Sequence, residues 1–268
     1  MTRMNRYLGP DPERMMQQIR ERAPRWFLLA DDVATFCSDL VPTIQPNIND
    51  GQQVLSAVLY RRVLSAFEGV LLLAERGMHT EGLILRRGML EALFVLGAIW
   101  QQPDLVRTYV QNDQHRRRDI YKNLRQTSTE SRRRVSAWIT DEELDKAISE
   151  LTRATKGVNY LSVEQFAQAA KLHDAYLTDY CLLSEAAHHV ARDLERQVTV
   201  DRDKEIESII WGPEQEPPFK LLFPATDQML MAAHVISRIY GLDVKEKFEM
   251  FSRRSRELSE QDEARENG

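Results

Sequence analysis

The sequence predicts an all-α protein: a single helical bundle domain with an antiparallel helix hairpin and a small β-hairpin or extended insertion. Three observations carry this. Leu, Ala, Arg, Glu and Gln are plentiful, whereas 268 residues hold only 11 Gly and 10 Pro, a composition that favours helix over strand. Long apolar stretches follow one another with short links, above all "SAVLYRRVLSAFEGVLLLAERGMHTEGLILRRGMLEALFVLGAIW". Helix-start signals recur: "TDEE" from Thr140 and "SVEQ" from Ser162 both read as capping boxes, a hydroxyl cap followed three residues on by Glu or Gln.

Taken in order, Asp11 between Pro10 and Pro12 can cap a first helix running toward Leu40, which Pro24 should bend or interrupt. "VPTIQPNINDG" is a loop. A long helix follows from about Gln52 to Arg76, with Gly77 suited to its C-terminal cap. Thr80 can cap the next helix, which ends before Pro103; the short link makes the two an antiparallel hairpin. Residues 104–126 are helical in pattern, and further helices open at the two capping boxes. "DAYLTDYCLLSEAAHHVARDLERQ" gives one or two more. "SIIWGPEQEPPFKLLF" is the candidate hairpin, with strand expected near Ile206 to Phe223. A helix from about Pro224 to Tyr240, stopped by Gly241, precedes an amphipathic, then charged tail. This divides the chain into an N-terminal helical extension (1–50), a helical core (51–241) and a charged C-terminal helix with frayed end (242–268).

Hydrophobic residues make up 43%, enough for a sizeable core. The net charge of -5 argues against a protein that binds polyanions over its whole surface but leaves room for a local basic patch. One exists: residues 101–140 hold nine Lys/Arg against four Asp/Glu, including Arg116, Arg117, Arg118 and Arg132, Arg133, Arg134. Two cysteines exclude a disulfide framework or a four-cysteine zinc site and read as packed hydrophobes. No signal-type apolar segment opens the chain, and no window of about 20 residues is free of charge, so neither export nor a membrane span is expected and the protein is placed in the cytoplasm.

Polar groups inside the apolar helices are the main functional lead. Positions four apart share a helix face, so Arg87 and Glu91 lie together among Leu83, Ile84, Leu90, Phe94 and Val95, while Arg86 points away toward the surface. If that face is buried the charges need partners, because an isolated buried charge is costly. Arg61, Ser65 and Glu68 form one stripe of the preceding helix, so the two helices can meet through a polar seam. That seam is either an ion-pair network fixing helix register or the wall of a functional cleft. A second lead is "LSEAAHHVARDL": Ser184 and His188 share a face, as do Glu185 and His189, and a Glu four residues away can orient a histidine and raise its pKa.

Several chemistries lack their signatures. There is no G-x-S-x-G elbow, no phosphate-cradling glycine loop, no H-E-x-x-H, and only one E-x-x-H pair, Glu185 with His188. No metal site or cofactor is therefore expected.

The hairpin quoted above, with R-x-x-x-E at Arg87 to Glu91, resembles a bacterial helical family catalogued as domain of unknown function 5677. "LSEAAHH", "SIIWGPEQEPPFKLLF" and "TDQMLMAAHVISRIYG" follow in the order that family shows, so the resemblance covers roughly Val54 to Gly241. That layout is similar in turn to the HEPN group of helical bundles, frequent as RNases in toxin–antitoxin and phage-defence systems. The resemblance implies a helical bundle, a possible homodimer, and either of two functions. One is a binding or interaction module for a partner protein or ligand in a defence, toxin or regulatory system. The other is a metal-independent RNase in which His188 or His189 serves as general acid or base, Arg87 stabilises the phosphorane, Glu91 or Glu185 orients them, and the arginines of 116–134 hold RNA. The chain departs from the HEPN pattern: R-x(4–6)-H is missing, and Arg192 follows His188 by four instead of preceding it.

Overall fold

The computed structural model describes residues 7, 11–128, 130–131, 139–187, 197–201, 205–214 and 216–266. Its helices are α1 (Pro12–Arg22), α2 (Pro24–Leu40), α3 (Gly51–Ala74), α4 (His79–Gln101), α5 (Leu105–Gln126), α6 (Asp141–Ala154), α7 (Val163–Ala169), α8 (Cys181–Ala187), α9 (Phe219–Tyr240) and α10 (Lys245–Glu266). A helical turn at His173–Ala175 and a π-helical turn at Tyr176–Tyr180 lead into α8. The described strands are β1 (Val198–Val200) and β2 (Ile206–Ile209), paired antiparallel with a register shift between Thr199 and Val200. The all-α expectation with a small hairpin holds.

The core is the antiparallel pair α3–α4, with α9 packed across both and α2 against α9. Phe27, Leu29, Val33, Phe67, Phe94, Leu96, Met229 and Ile236 are closed to solvent within one cluster, which also takes Phe251 and Leu258 of α10. Two polar ties fix that frame. Tyr60 Oη donates to the Cys37 carbonyl at 2.9 Å, and Tyr240 Oη donates to the Gln53 carbonyl at 2.6 Å. Burial pushes the Cys37 thiol up to about 12, so it stays an inert packing group. α5 and α6 form a flanking pair, with Leu144 buried between them outside the main cluster.

Local signals explain most boundaries. Pro24 splits the first helix into α1 and α2. Both capping boxes form, at Thr140–Glu143 and Ser162–Gln165. Gly77 adopts φ 67° at the end of α3, where a side chain would be strained. α4 departs from expectation at its start. It begins at His79, and Thr80 is not its cap. Instead the buried Glu214 carboxylate accepts from Thr80 N at 3.0 Å and Thr80 Oγ1 at 3.2 Å, satisfying the helix N-terminus from 134 residues away.

The strand also falls elsewhere than expected. The hairpin joins residues 198–200 to 206–209, so the Pro-rich stretch lies after it and leads into α9. Pro218 caps α9, whose start moves back to Phe219 with Pro224 inside it. Pro218 costs little at the helix start, where N–H groups lack helix partners anyway, whereas Pro224 lies in the second turn and forgoes one backbone bond. A third difference concerns α3. Arg61, Ser65 and Glu68 face solvent, and Leu59, Val63, Phe67 and Val70 meet the core. The expected polar seam of Arg61, Ser65 and Glu68 between α3 and α4 does not form, because the stripe of α3 that carries these three points outward.

Candidate functional site

The two neighbouring arginines of α4 take opposite environments. Arg86, expected at the surface, is buried at 3% exposure. α9 and the π-helical turn cover its side of α4. Its Nη2 pairs with Asp179 Oδ1 at 2.5 Å, and Gln228 Nε2 of α9 donates to Asp179 Oδ2 at 3.1 Å. Arg87 stays partly open, its side chain 28% exposed. Its Nη2 donates to Tyr180 Oη at 2.8 Å and lies 3.2 Å from Glu91 Oε1; its Nε donates to Ser184 Oγ at 3.1 Å. Tyr180 Oη in turn donates to Glu91 Oε1 at 2.8 Å. Successive residues of the π-helical turn, Asp179 and Tyr180, thus clamp successive residues of α4.

π-Turns insert an extra residue and re-aim side chains, and they gather at functional sites. This one also builds an aromatic column. His173 stacks on Tyr176 at 6.1 Å between ring centroids, Tyr176 on Tyr180 at 5.1 Å, and the Arg87 guanidinium lies 5.0 Å from the Tyr180 centroid. Burial raises the Tyr180 phenol above its ordinary value; the bond to Glu91 adds to this and Arg87 opposes it. At neutral pH the phenol therefore keeps its proton and donates it to Glu91.

Glu91 is 39% exposed and borders a cleft of about 500 Å³ between α3, α4, α5 and α7. The far wall is pinned in place. Asn112 of α5 donates to the Leu161 carbonyl at 2.7 Å and accepts from Leu161 N at 3.1 Å, which fixes the entry to α7. Tyr109 meets Phe166 edge to face at 5.9 Å. Arg62 and Arg116 reach the cleft from α3 and α5. The nearby Tyr160 side chain raises Arg116 above an ordinary arginine, and the Glu91 charge adds to that.

Gly88 lies on the floor. Three other glycines inside α3 and α4 have a packing reason: a Cβ would come within 2.6 Å of Leu85 at Gly69, 2.4 Å of Leu221 at Gly82 and 2.9 Å of Ala170 at Gly97. At Gly88 it would meet nothing within 4 Å. A mid-helix glycine costs about 1 kcal/mol relative to alanine. No neighbour accounts for that cost here, and the space it leaves open belongs to the cleft.

Of the residues singled out in the sequence, Arg87 and Glu91 do come together, and Arg116 joins them across the cleft. Arg117 pairs with Asp113, and Arg118 with Asp119 and Thr155, so the three consecutive arginines face three directions. Glu185 is exposed on α8. His188, His189, Arg132, Arg133 and Arg134 lie outside the described residues. Sequence reasoning missed Tyr180, Asp179, Arg62, Asn112 and Gly88. Tyr176, Tyr180 and Ser184, spaced by four, were a readable stripe. Among the described residues no group of three His, Cys, Asp or Glu could hold a metal ion, and no helix is long and apolar enough to cross a membrane.

A family model described as a family of unknown function (DUF5677) matches residues 53–206, more than half of the chain. The chain belongs to that family. No curated protein and no solved structure matches it. The DUF5677 span runs from α3 to the first residue of β2 and contains the cleft lining and all four members of the Arg87–Glu91–Tyr180–Ser184 cluster. Gln228, which braces the buried arginine pair, lies beyond it on α9.

Proposed function

We propose that this member of the DUF5677 family is a ligand-binding helical module and that the cleft between α3, α4, α5 and α7 is its binding site. The observation that carries this is Gly88. Helix α4 keeps its least favourable ordinary residue where no packing demands it, beside a carboxylate held in place by Arg87 and Tyr180. A volume of about 500 Å³ suits a small molecule, and the mixture of apolar walls with a few fixed polar groups is that of small-molecule sites generally.

The test is a ligand-observed NMR screen of a fragment library against the wild-type chain and Gly88→Leu. Fragments that bind the wild type should lose their signal in the variant, which has leucine filling the floor. Hits that survive Gly88→Leu place the binding elsewhere and end this reading.

The alternative is a metal-independent RNase. One observation favours it: Ser184, four residues before His188 in the chain, bonds the partly exposed Arg87. Under that reading the purified protein cuts RNA in excess EDTA, leaves 2′,3′-cyclic phosphate ends, and loses roughly 10²-fold or more on His188→Ala or His189→Ala. Intact RNA under these conditions leaves the binding module.

A further inference from the structure

The charges around the cleft define what kind of ligand it takes. Two carboxylates border it, Glu91 and Asp113. Both already have a cation: Arg87 lies 3.2 Å from Glu91, and Arg117 lies 2.6 Å from Asp113. Neither Arg87 nor Arg117 lines the cleft, so each neutralises its carboxylate from behind. Arg62 and Arg116 remain, both on the lining. Among the described residues Arg62 has no hydrogen bond or ion pair. Arg116 has the Tyr160 side chain nearby and shares the field of a Glu91 that is already paired. Four guanidinium groups thus attend two carboxylates.

Apart from Asn112, whose amide is bonded to Leu161, the rest of the lining is apolar and partly aromatic. Leu59, Ala92, Val95 and Val163 stand with Tyr109 and Phe166, whose rings meet edge to face. Flat apolar bodies fit such walls, and the open floor at Gly88 lets a ring approach the α4 backbone.

We infer that the cleft binds an anion carried on a planar apolar body, a phosphate or carboxylate head held by Arg62 and Arg116 with its ring between α4 and the Tyr109–Phe166 wall. This inference rests on the cleft being the binding site. Guanidinium groups suit such heads because they offer several donors in one plane and never lose their charge.

The experiment is isothermal titration of the full chain with four probes of one shape: 2-naphthyl phosphate, 2-naphthoate, 2-naphthol and 2-naphthylmethylammonium. The two anions should bind, ranked by which head suits the arginines; the alcohol should bind more weakly and the ammonium not at all. Arg62→Gln and Arg116→Gln should each weaken the anions by roughly ten- to a hundredfold, the worth of a charge-assisted hydrogen bond, and leave 2-naphthol unchanged. Arg116→Lys, which keeps the charge, guards against a loss caused by misfolding and should retain more of the affinity than Arg116→Gln. Gly88→Leu should abolish binding of all three. Equal affinity for all four probes, or preference for the ammonium, with Gly88→Leu still abolishing binding, overturns the anion inference and leaves the cleft as the site. Absence of binding by every probe, or binding indifferent to Gly88→Leu, overturns the inference together with the reading of the cleft.

Discussion

Arg86 and Arg87 are adjacent in sequence and nearly opposite in physical role. Arg86 is enclosed, and its charge is met by Asp179, which Gln228 braces from a third element. Arg87 stands at the edge of a cleft and shares its bonds among a phenol, a hydroxyl and a carboxylate that is itself partly open. The first arrangement encloses the guanidinium, although the Asp179 side chain is 35% exposed, and serves to lock the π-helical turn onto α4. The second holds Glu91 in a set position at the border of an empty volume. Apolar surroundings in sequence therefore say that a charge is paired; only the side of the helix says whether the pair is frame or site.

Replacing one partner on each side should expose the difference. Asp179→Ala strands the enclosed guanidinium, and we expect a loss of about 3–5 kcal/mol in a urea melt. Glu91→Ala removes a carboxylate that is 39% exposed and should cost no more than about 1 kcal/mol. Equal losses would erase the distinction. The enclosed pair also leaves Arg86 Nε and Gln228 Oε1 buried without a partner, so the double change Arg86→Met with Asp179→Leu should cost much less than Asp179→Ala alone.

A smaller effect is expected at the hinge between the two sides. Tyr180→Phe keeps the aromatic column but deletes the hydroxyl that links Arg87 to Glu91, and it should cost about 1 kcal/mol. Its consequence for binding should exceed its consequence for stability, because Glu91 is then held by Arg87 alone.

The smallest effect is on titration. The folded protein raises the Tyr180 phenol above the ordinary value of about 10. The folded state thus holds this proton more tightly than the unfolded chain, so the contribution is complete below about pH 10 and is lost as pH rises through the folded value. In the tyrosinate absorbance difference between wild type and Tyr180→Phe, the midpoint should lie above the free value. Glu91→Gln should lower it and Arg87→Gln should raise it further. Shifts of the opposite sign would mean that the phenol does not bridge these two groups.

How much of this could be read in the sequence follows from where the partners lie. The α3–α4 hairpin, both capping boxes and the Arg87–Glu91 pair are local: each depends on residues three or four apart or on a short link, and each formed. Arg86 was placed wrongly because a helical wheel assumes one solvent face, whereas α4 is covered by α3, α7, α8 and α9 together. Its partner Asp179 is 93 residues away and carries no local mark. Glu214 at the N-terminus of α4 is equally distant. The polar stripe of α3 was read as a seam because polar residues flanked by apolar ones look the same whether the stripe points in or out. The cleft itself was invisible: a glycine inside an apolar helix can mean close packing, as at Gly82, or open space, as at Gly88, and only the neighbours decide.

That contrast also supplies the most direct test. Gly82→Ala and Gly88→Ala make the same chemical change in one helix, six residues apart, and their unfolding free energies can be compared under one set of conditions. At Gly82 the new methyl meets the buried Leu221 at 2.4 Å, so the variant should lose about 1–3 kcal/mol. At Gly88 the methyl enters the cleft and only the helix propensity changes, so the variant should gain about 0.5–1 kcal/mol. Opposite signs are the result this account predicts. A loss at Gly88 comparable to that at Gly82 would mean that the floor is packed against something, and that the open cleft at the centre of the account does not exist.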